Sequence, residues 1–146
     1  MSLPEDDRGF LYGDGLFETV RVENGSIRWL DRHIDRLRSS GKALGFPEEI
    51  IDDGCACLES LVDEDPGIWR VTVTRPGQGV AFGGSGHVSI RHRPLQPIHR
   101  PTLTLAHGFF HPGDVLARHK TTSFIRYVEA RRRANEAGFD NAVLTS

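Results

Sequence analysis

Long apolar runs are missing from this sequence of 146 residues. Nowhere do apolar residues continue for the roughly 18–20 positions that a membrane-spanning helix needs. Charge of one sign is missing as well: a formal net charge of −2 gives no reason to expect nucleic acid as a partner. Cysteine is scarce. The two present, Cys55 and Cys57, stand two positions apart in an expected helix, where such neighbours point to different sides. A mutual disulfide or a shared metal is therefore not expected, and ordinary packing in a reducing compartment is. The chain has no P-loop, no G-x-S-x-G, no H-E-x-x-H, and no G-x-G-x-x-G after a strand. The seven histidines are scattered, and His107 and His111 lack a helix to align them, so no metal site is expected. Residues 1–8 are polar and acidic, unlike a secretory signal, and a cytoplasmic location is expected.

Glycine, by contrast, is concentrated. Residues 9–15 read Gly-Phe-Leu-Tyr-Gly-Asp-Gly, which predicts a tight loop. Residues 16–23 then alternate, with Leu16, Glu18, Val20 and Val22 on one side, as a strand does. Asn24-Gly25 is a strong hairpin signal, and residues 26–30 return as a second strand. Asp31 is the expected cap of a helix carrying Leu30, Ile34, Leu37 and Leu44, ended by Gly45 and Pro47. A second helix is expected over residues 48–63, with Gly54 as a weak point. Residues 68–74 are rich in β-branched residues and read as a central strand that Arg70 interrupts. A glycine-rich loop from Arg75 to Gly86 leads to a strand over residues 88–92. Three prolines within residues 93–101 mark a boundary. Beyond it lie an expected strand (102–110), a helix (122–137) stopped by Gly138, and a last strand from Phe139. The fold class expected is α+β, with a domain over 1–93, a proline-rich linker over 94–101, and the beginning of another domain over 102–146.

The groups left to carry chemistry are basic: Arg36, Arg70, Arg75 and Lys120, each near a glycine loop or an element end. Such a set suits an anionic ligand. An arginine can take a phosphate bidentately. A lysine that is partly desolvated, or close to other cations, loses proton affinity and can act as an amine nucleophile towards a carbonyl. Lys120 lies at an expected strand-to-helix junction, with Thr121, Thr122 and Ser123 as candidate N-caps.

Four ordered stretches carry a resemblance. They are Asp7-Arg8-Gly9-Phe10-Leu11-Tyr12-Gly13-Asp14-Gly15-Leu16-Phe17-Glu18-Thr19-Val20-Arg21-Val22, then His33-Ile34-Asp35-Arg36-Leu37, then Trp69-Arg70-Val71-Thr72-Val73-Thr74-Arg75, then His119-Lys120-Thr121. Together they resemble the fold-type IV pyridoxal-phosphate enzymes, which include the class IV aminotransferases and aminodeoxychorismate lyase. The resemblance implies a two-layer α/β domain followed by the start of a pseudo-barrel domain, and pyridoxal 5'-phosphate as cofactor. It implies that Lys120 holds the cofactor covalently and moves the proton, and that Arg36 binds the cofactor phosphate. Phe17 would line the substrate pocket, and Arg75 would open a loop that helps hold a substrate carboxylate. A homodimer acting on an amino acid and a 2-oxo acid is expected by the same route.

The chain departs from the pattern in three places. The short strand pair that usually precedes Asp7 is missing. The loop after Arg75 lacks the arginine–histidine pair of the D-amino acid transaminases. In the family, the glutamate at the pyridine nitrogen and a second phosphate-binding loop come after the point that Ser146 occupies here. A longer chain is therefore expected, and an unpaired apolar edge at Ala142, Val143 and Leu144 points the same way. The function expected is aminotransfer between an amino acid and a 2-oxo acid. The alternatives are aminodeoxychorismate lyase and a truncated, non-catalytic homologue.

Overall fold

The computed structural model describes residues 4–77, 81, 83, 86–97 and 100–146. Much of the expected loop from Arg75 to Gly86, and His99 in the proline-rich stretch, lie outside them. By contact, the chain divides into two compact units. The first is the chain up to Leu95 together with Lys120–Thr122; the second is Gln96–His119 with Ser123–Ser146. Lys120, which the sequence boundaries assign to the later segment, thus belongs with the first.

The glycine-rich start is not all loop. Asp7 accepts a hydrogen bond from the Phe10 amide and caps a one-turn helix, α1 (Arg8–Tyr12), which Gly13 closes. β1 (Gly15–Glu23) follows, and its alternation sends Leu16, Glu18, Val20 and Val22 to one face. Asn24 and Gly25 both take positive φ, 52° and 66°, as a tight hairpin turn requires. The return strand β2 (Ser26–Ile27) is only two residues long. The next helix, α2 (Leu30–Ala43), begins one residue before the expected cap. Trp29 precedes it in left-handed backbone with no side-chain cap, and Asp31 falls in the first turn, where a carboxylate suits the helix dipole. α3 (Glu48–Ser60) runs into a 3-10 turn at Leu61–Asp63.

β3 (Gly67–Thr74) pairs antiparallel with β1 on one side and with β4 (His87–Arg93) on the other, giving the order β2-β1-β3-β4. The apolar face of this sheet meets α2 and α3 in a cluster that includes Leu16, Val20, Leu37, Cys55, Leu58 and Val73. Gly54 is a requirement of this packing rather than a weak point. A Cβ there would stand 2.5 Å from Val73 Cγ2, so only glycine lets α3 approach β3. Burial pushes the Cys55 and Cys57 thiols up, and both are free.

The second unit is smaller. β5 (Leu103–Ala106) and β6 (Asn141–Leu144) pair in parallel, joined through α4 (Ile125–Glu136). The expected edge at Ala142–Leu144 is thus paired, on one side, with β5. A 3-10 turn at Val115–Arg118, capped by Asp114, fills part of the connection. The helix expected from residue 122 starts three residues later, behind Phe124, with no side-chain cap. No helix among the described residues is long and apolar enough to cross a membrane.

Candidate active site

Lys120–Thr122 is an added strand on the edge of β1. The Phe17 amide donates to the Lys120 carbonyl at 3.0 Å, the Thr122 amide donates to the Gly15 carbonyl at 2.8 Å, and Leu16 and Thr121 face each other as an antiparallel bridge. This pairing is why residues 121 and 122 are not helix caps: their backbone is extended, and α4 has to start later. It also sets direction. Thr121 shares the face of Leu16, so Lys120 and Thr122 share the opposite face, with Phe17. Gly15 makes room for the added strand, because a Cβ there would lie 2.9 Å from both Thr122 Oγ1 and the Val73 carbonyl oxygen.

Phe17 is the platform of the site. Its ring is 3% exposed, with Lys120 Nζ 4.3 Å from the centroid and the Arg70 guanidinium carbon 3.5 Å from it. Glu18, beside it in sequence, points to the other face and is 1% exposed. A carboxylate so buried needs partners. Arg36 supplies the first, donating from Nε to Oε1 at 2.6 Å and from Nη2 to Oε2 at 2.5 Å. His33 Nδ1 stands 2.8 Å from Oε2. The arginine that lacks a carboxylate along its own helix therefore has one across the sheet–helix interface. The pair holds the Arg36 guanidinium above its ordinary value, first through the hydrogen bond to Glu18.

Lys120 shifts in the opposite sense. Burial lowers its proton affinity, Arg36 and Arg70 lower it further, and Glu18 offsets part of the change. The chain has only two lysines, and the other, Lys42, is exposed on α2. The lowered, part-buried amine is thus singular in this protein.

Of the residues singled out from sequence, Phe17 and Lys120 meet here, and Arg36 acts on Lys120 through its charge. Arg75 does not join them. Its Nε binds the Asp14 carboxylate at 2.9 Å, Nη1 donates to the Gly45 carbonyl, Nη2 donates to the Leu44 carbonyl, and the guanidinium lies 4.1 Å from the Phe46 ring centroid. Arg8 grips the same Asp14. The fork expected at a substrate carboxylate ties the start of β1 to the end of α2 instead. Sequence reading missed Glu18 as the organiser of Arg36 and His33, although a carboxylate on the apolar face of a strand was the signal. It also missed Arg70 as a neighbour of Lys120.

A lysine with weakened proton affinity, close to an arginine fixed by a buried carboxylate, defines a class of site: an amine that can condense with a carbonyl on an anionic ligand. The chain belongs to the Amino-transferase class IV family, whose profile matches residues 15–146. Over 94% of its length it is 32% identical to a protein of Methanocaldococcus jannaschii that is provisionally named a branched-chain-amino-acid aminotransferase. It is 30% identical to the aminodeoxychorismate lyase of Vibrio harveyi over 58% of this chain and 31% of that protein. Among solved structures, the 4-amino-4-deoxychorismate lyase from Pseudomonas aeruginosa is similar with a TM-score of 0.75 and 26% identity, over 100% of this chain and 58% of that one. The chain spans about half the length of the Methanocaldococcus relative, 52% of it.

Class IV aminotransferases depend on pyridoxal 5'-phosphate. The residues present fit that group. Lys120 offers an amine for its aldehyde. Arg36 keeps its Nη1 edge without a partner among the described residues, and its side chain is 47% exposed, so it can accept an anion while still bound to Glu18. Thr122 Oγ1 is buried with no hydrogen-bond partner among the described residues, an unused polar group on the Lys120 face of the added strand.

Proposed function

We propose that this chain carries the lysine side of a pyridoxal-phosphate-dependent aminotransferase site, moving an amino group between an amino acid and a 2-oxo acid. The observation that carries the reading is the environment of Lys120: part-buried over Phe17, with its proton affinity lowered by burial and by Arg36 and Arg70. When bound, the cofactor supplies the electron sink for bond breaking at the substrate α-carbon. The chain's own groups do the rest. Lys120 Nζ, neutral at a lower pH than a free lysine, is suited to hold the cofactor and to carry a proton. Arg36, fixed by Glu18 and His33, is suited to the phosphate. Phe17 excludes water beneath the amine and gives the substrate an apolar wall. The lowered amine and the carboxylate-locked arginine support this reading over an inert binding module.

The test uses the chain's two lysines. Incubation with pyridoxal phosphate, borohydride reduction and peptide mapping are expected to give a stable adduct on Lys120 and none on Lys42. An adduct on Lys42 alone, or none, would overturn the reading. The similarity to aminodeoxychorismate lyases favours a second one, in which the same lysine serves an elimination that yields pyruvate and 4-aminobenzoate. Pyruvate release from 4-amino-4-deoxychorismate without an amino acceptor would select the lyase, and dependence of turnover on an added 2-oxo acid would select the aminotransferase. A cytoplasmic homodimer completes the proposal, and sedimentation equilibrium checks its second half.

A further inference from the structure

α2 and α3 carry charges of opposite sign where they flank the turn between them. Arg38 and Lys42 are four residues apart towards the end of α2. Glu48 and Asp52 are four apart from the start of α3. Each pair therefore stands one above the other on one side of its helix. The helix dipoles favour Lys42 and Glu48 at these ends. They do not account for what the two pairs enclose. Between them lies a cavity of about 560 Å³, lined by these four side chains and by Phe46 and Ile51. That volume is in the range of small-molecule sites.

The floor of the cavity is apolar and fixed. Phe46 and Ile51 are both buried. Gly41 lets α2 close on Ile51, since a Cβ there would stand 2.6 Å from Ile51 Cγ1. The Phe46 amide donates to the Gly41 carbonyl at 2.9 Å, and the Arg75 guanidinium lies against the Phe46 ring. The walls are polar and only half satisfied. Arg38 donates to Asp52 at 3.0 Å and ties the two helices together. The Lys42 ammonium and the Glu48 carboxylate line the same cavity and have no partner among the described residues. The cavity also lies away from the side of α2 that meets Glu18. At about 100° per residue, Arg38 is about 200° around the helix from Arg36, and Lys42 about 240°.

We propose that this cavity is a binding site for a free α-amino acid with an apolar side chain, taken as the zwitterion. Its carboxylate goes to Lys42, its ammonium to Glu48, and its side chain to Phe46 and Ile51. A plain anion would also meet Glu48, and a plain cation would also meet Lys42, so each faces a like charge that the zwitterion does not. Arg38 and Asp52 keep each other and hold the walls apart at a fixed spacing. The site is separate from Lys120, and the inference does not rest on the cofactor reading.

The purified, nitrogen-15-labelled chain, with no cofactor added, is titrated with phenylalanine, with phenethylamine and with hydrocinnamate, and its backbone amide resonances are followed. Phenylalanine is expected to shift the Lys42, Phe46 and Glu48 amides saturably and to leave those of Phe17 and Lys120 in place. The two analogues each lack one of the charges and are expected to bind at least about fivefold more weakly. Lys42→Gln and Glu48→Gln should each weaken phenylalanine binding by about the same factor. Both positions are exposed, so these variants should keep the native melting temperature. The absence of a saturable shift would overturn the proposal. So would an analogue that binds as tightly as phenylalanine, the signature of an unspecific apolar cleft, or unchanged affinity in either charge variant. Saturable shifts confined to Phe17 and Lys120 would also overturn it, by putting the amino acid at the other site. Borohydride trapping on Lys120 is independent of every one of these outcomes.

Discussion

Two of the carboxylates that take hydrogen bonds from a pair of side chains, Glu18 and Glu129, lie in opposite surroundings. In the first unit, Glu18 is buried between β1 and α2 and is held by Arg36 and His33. In the second, Glu129 sits on the outer surface of α4 and is held by Arg132 and Arg133. The units that carry them differ in the same way. The first assembles a continuous apolar cluster from β1, α2, α3 and β3, whereas the described helices and strands of the second bury only Ala130 and Ala134. A carboxylate inside a packed layer must be neutralised by groups held in place, so it fixes Arg36 as firmly as the core fixes it. A carboxylate on a solvated helix face is free to exchange its partners for water. The arginine that serves an anion is therefore expected where burial holds it, and the Arg131–Arg133 run, rich as it is in charge, is expected to do little beyond solvation.

The largest test of this contrast is truncation in the two apolar sets. Leu58 is fully buried, and Leu58→Ala should cost about 3 kcal/mol in urea denaturation, from lost transfer energy and the cavity left behind. Leu105, 61% exposed on β5, should cost less than about 0.5 kcal/mol on the same change. Equal losses would mean that the second unit is packed as tightly as the first.

Next comes Arg36→Met, which leaves Glu18 buried with His33 alone. Breaking a fully buried pair costs about 3–5 kcal/mol, but Arg36 is half exposed and part of its charge is screened by water. A loss of about 2 kcal/mol is expected, together with loss of the Lys120 adduct at limiting pyridoxal phosphate. A variant as stable as the native chain would show that Glu18 is satisfied without its arginine.

Lys120 gives a pH test. Its folded-state proton affinity lies below that of an unfolded lysine, so between the two values the unfolded chain binds more protons. Stability must then rise with pH through that window, which lies below about 10.5. Compared with Lys120→Met, the native chain should gain in urea midpoint as the pH is raised from neutral towards that limit. Adduct formation should climb over the same range. A flat difference between the two chains would place the amine in solvent.

Much of the first unit was legible because its signals are local. The alternation of β1, the Asn24-Gly25 turn and the β-branched run of β3 each report on a few neighbouring residues. The site was legible only in part. Nothing near Arg36 in sequence announces Glu18, since the two meet only when α2 packs across β1. Three hydroxyl residues after Lys120 look like helix caps, and backbone pairing with β1 outweighs that local preference. Arg75 was misleading for the converse reason: its position after β3 suggests an open loop, while Asp14 and the end of α2 close around it. Arg70 reads as a blemish in a central strand until packing sets its guanidinium over the Phe17 ring that also carries Lys120.

The smallest effect belongs to Glu129, and it completes the contrast with Glu18. Hydrogen bonds from Arg132 and Arg133 pull its carboxyl down to about 2. A carboxylate depressed on folding contributes stability above its unfolded value and loses that contribution as the pH falls through the folded value, here a window between about 4.5 and 2. The geometry alone would predict a marked acid sensitivity. Its place on a solvated helix face argues otherwise, because water and salt screen the pair and two long side chains must be ordered to keep it. Glu129→Gln should therefore leave the melting temperature unchanged at neutral pH and moderate salt, and differ from the native chain in acid only at low ionic strength. Thermal melts at two salt concentrations check this, and a loss that survives high salt would make α4 a helix held by charge rather than by Ala130 and Ala134 against the β5–β6 pair.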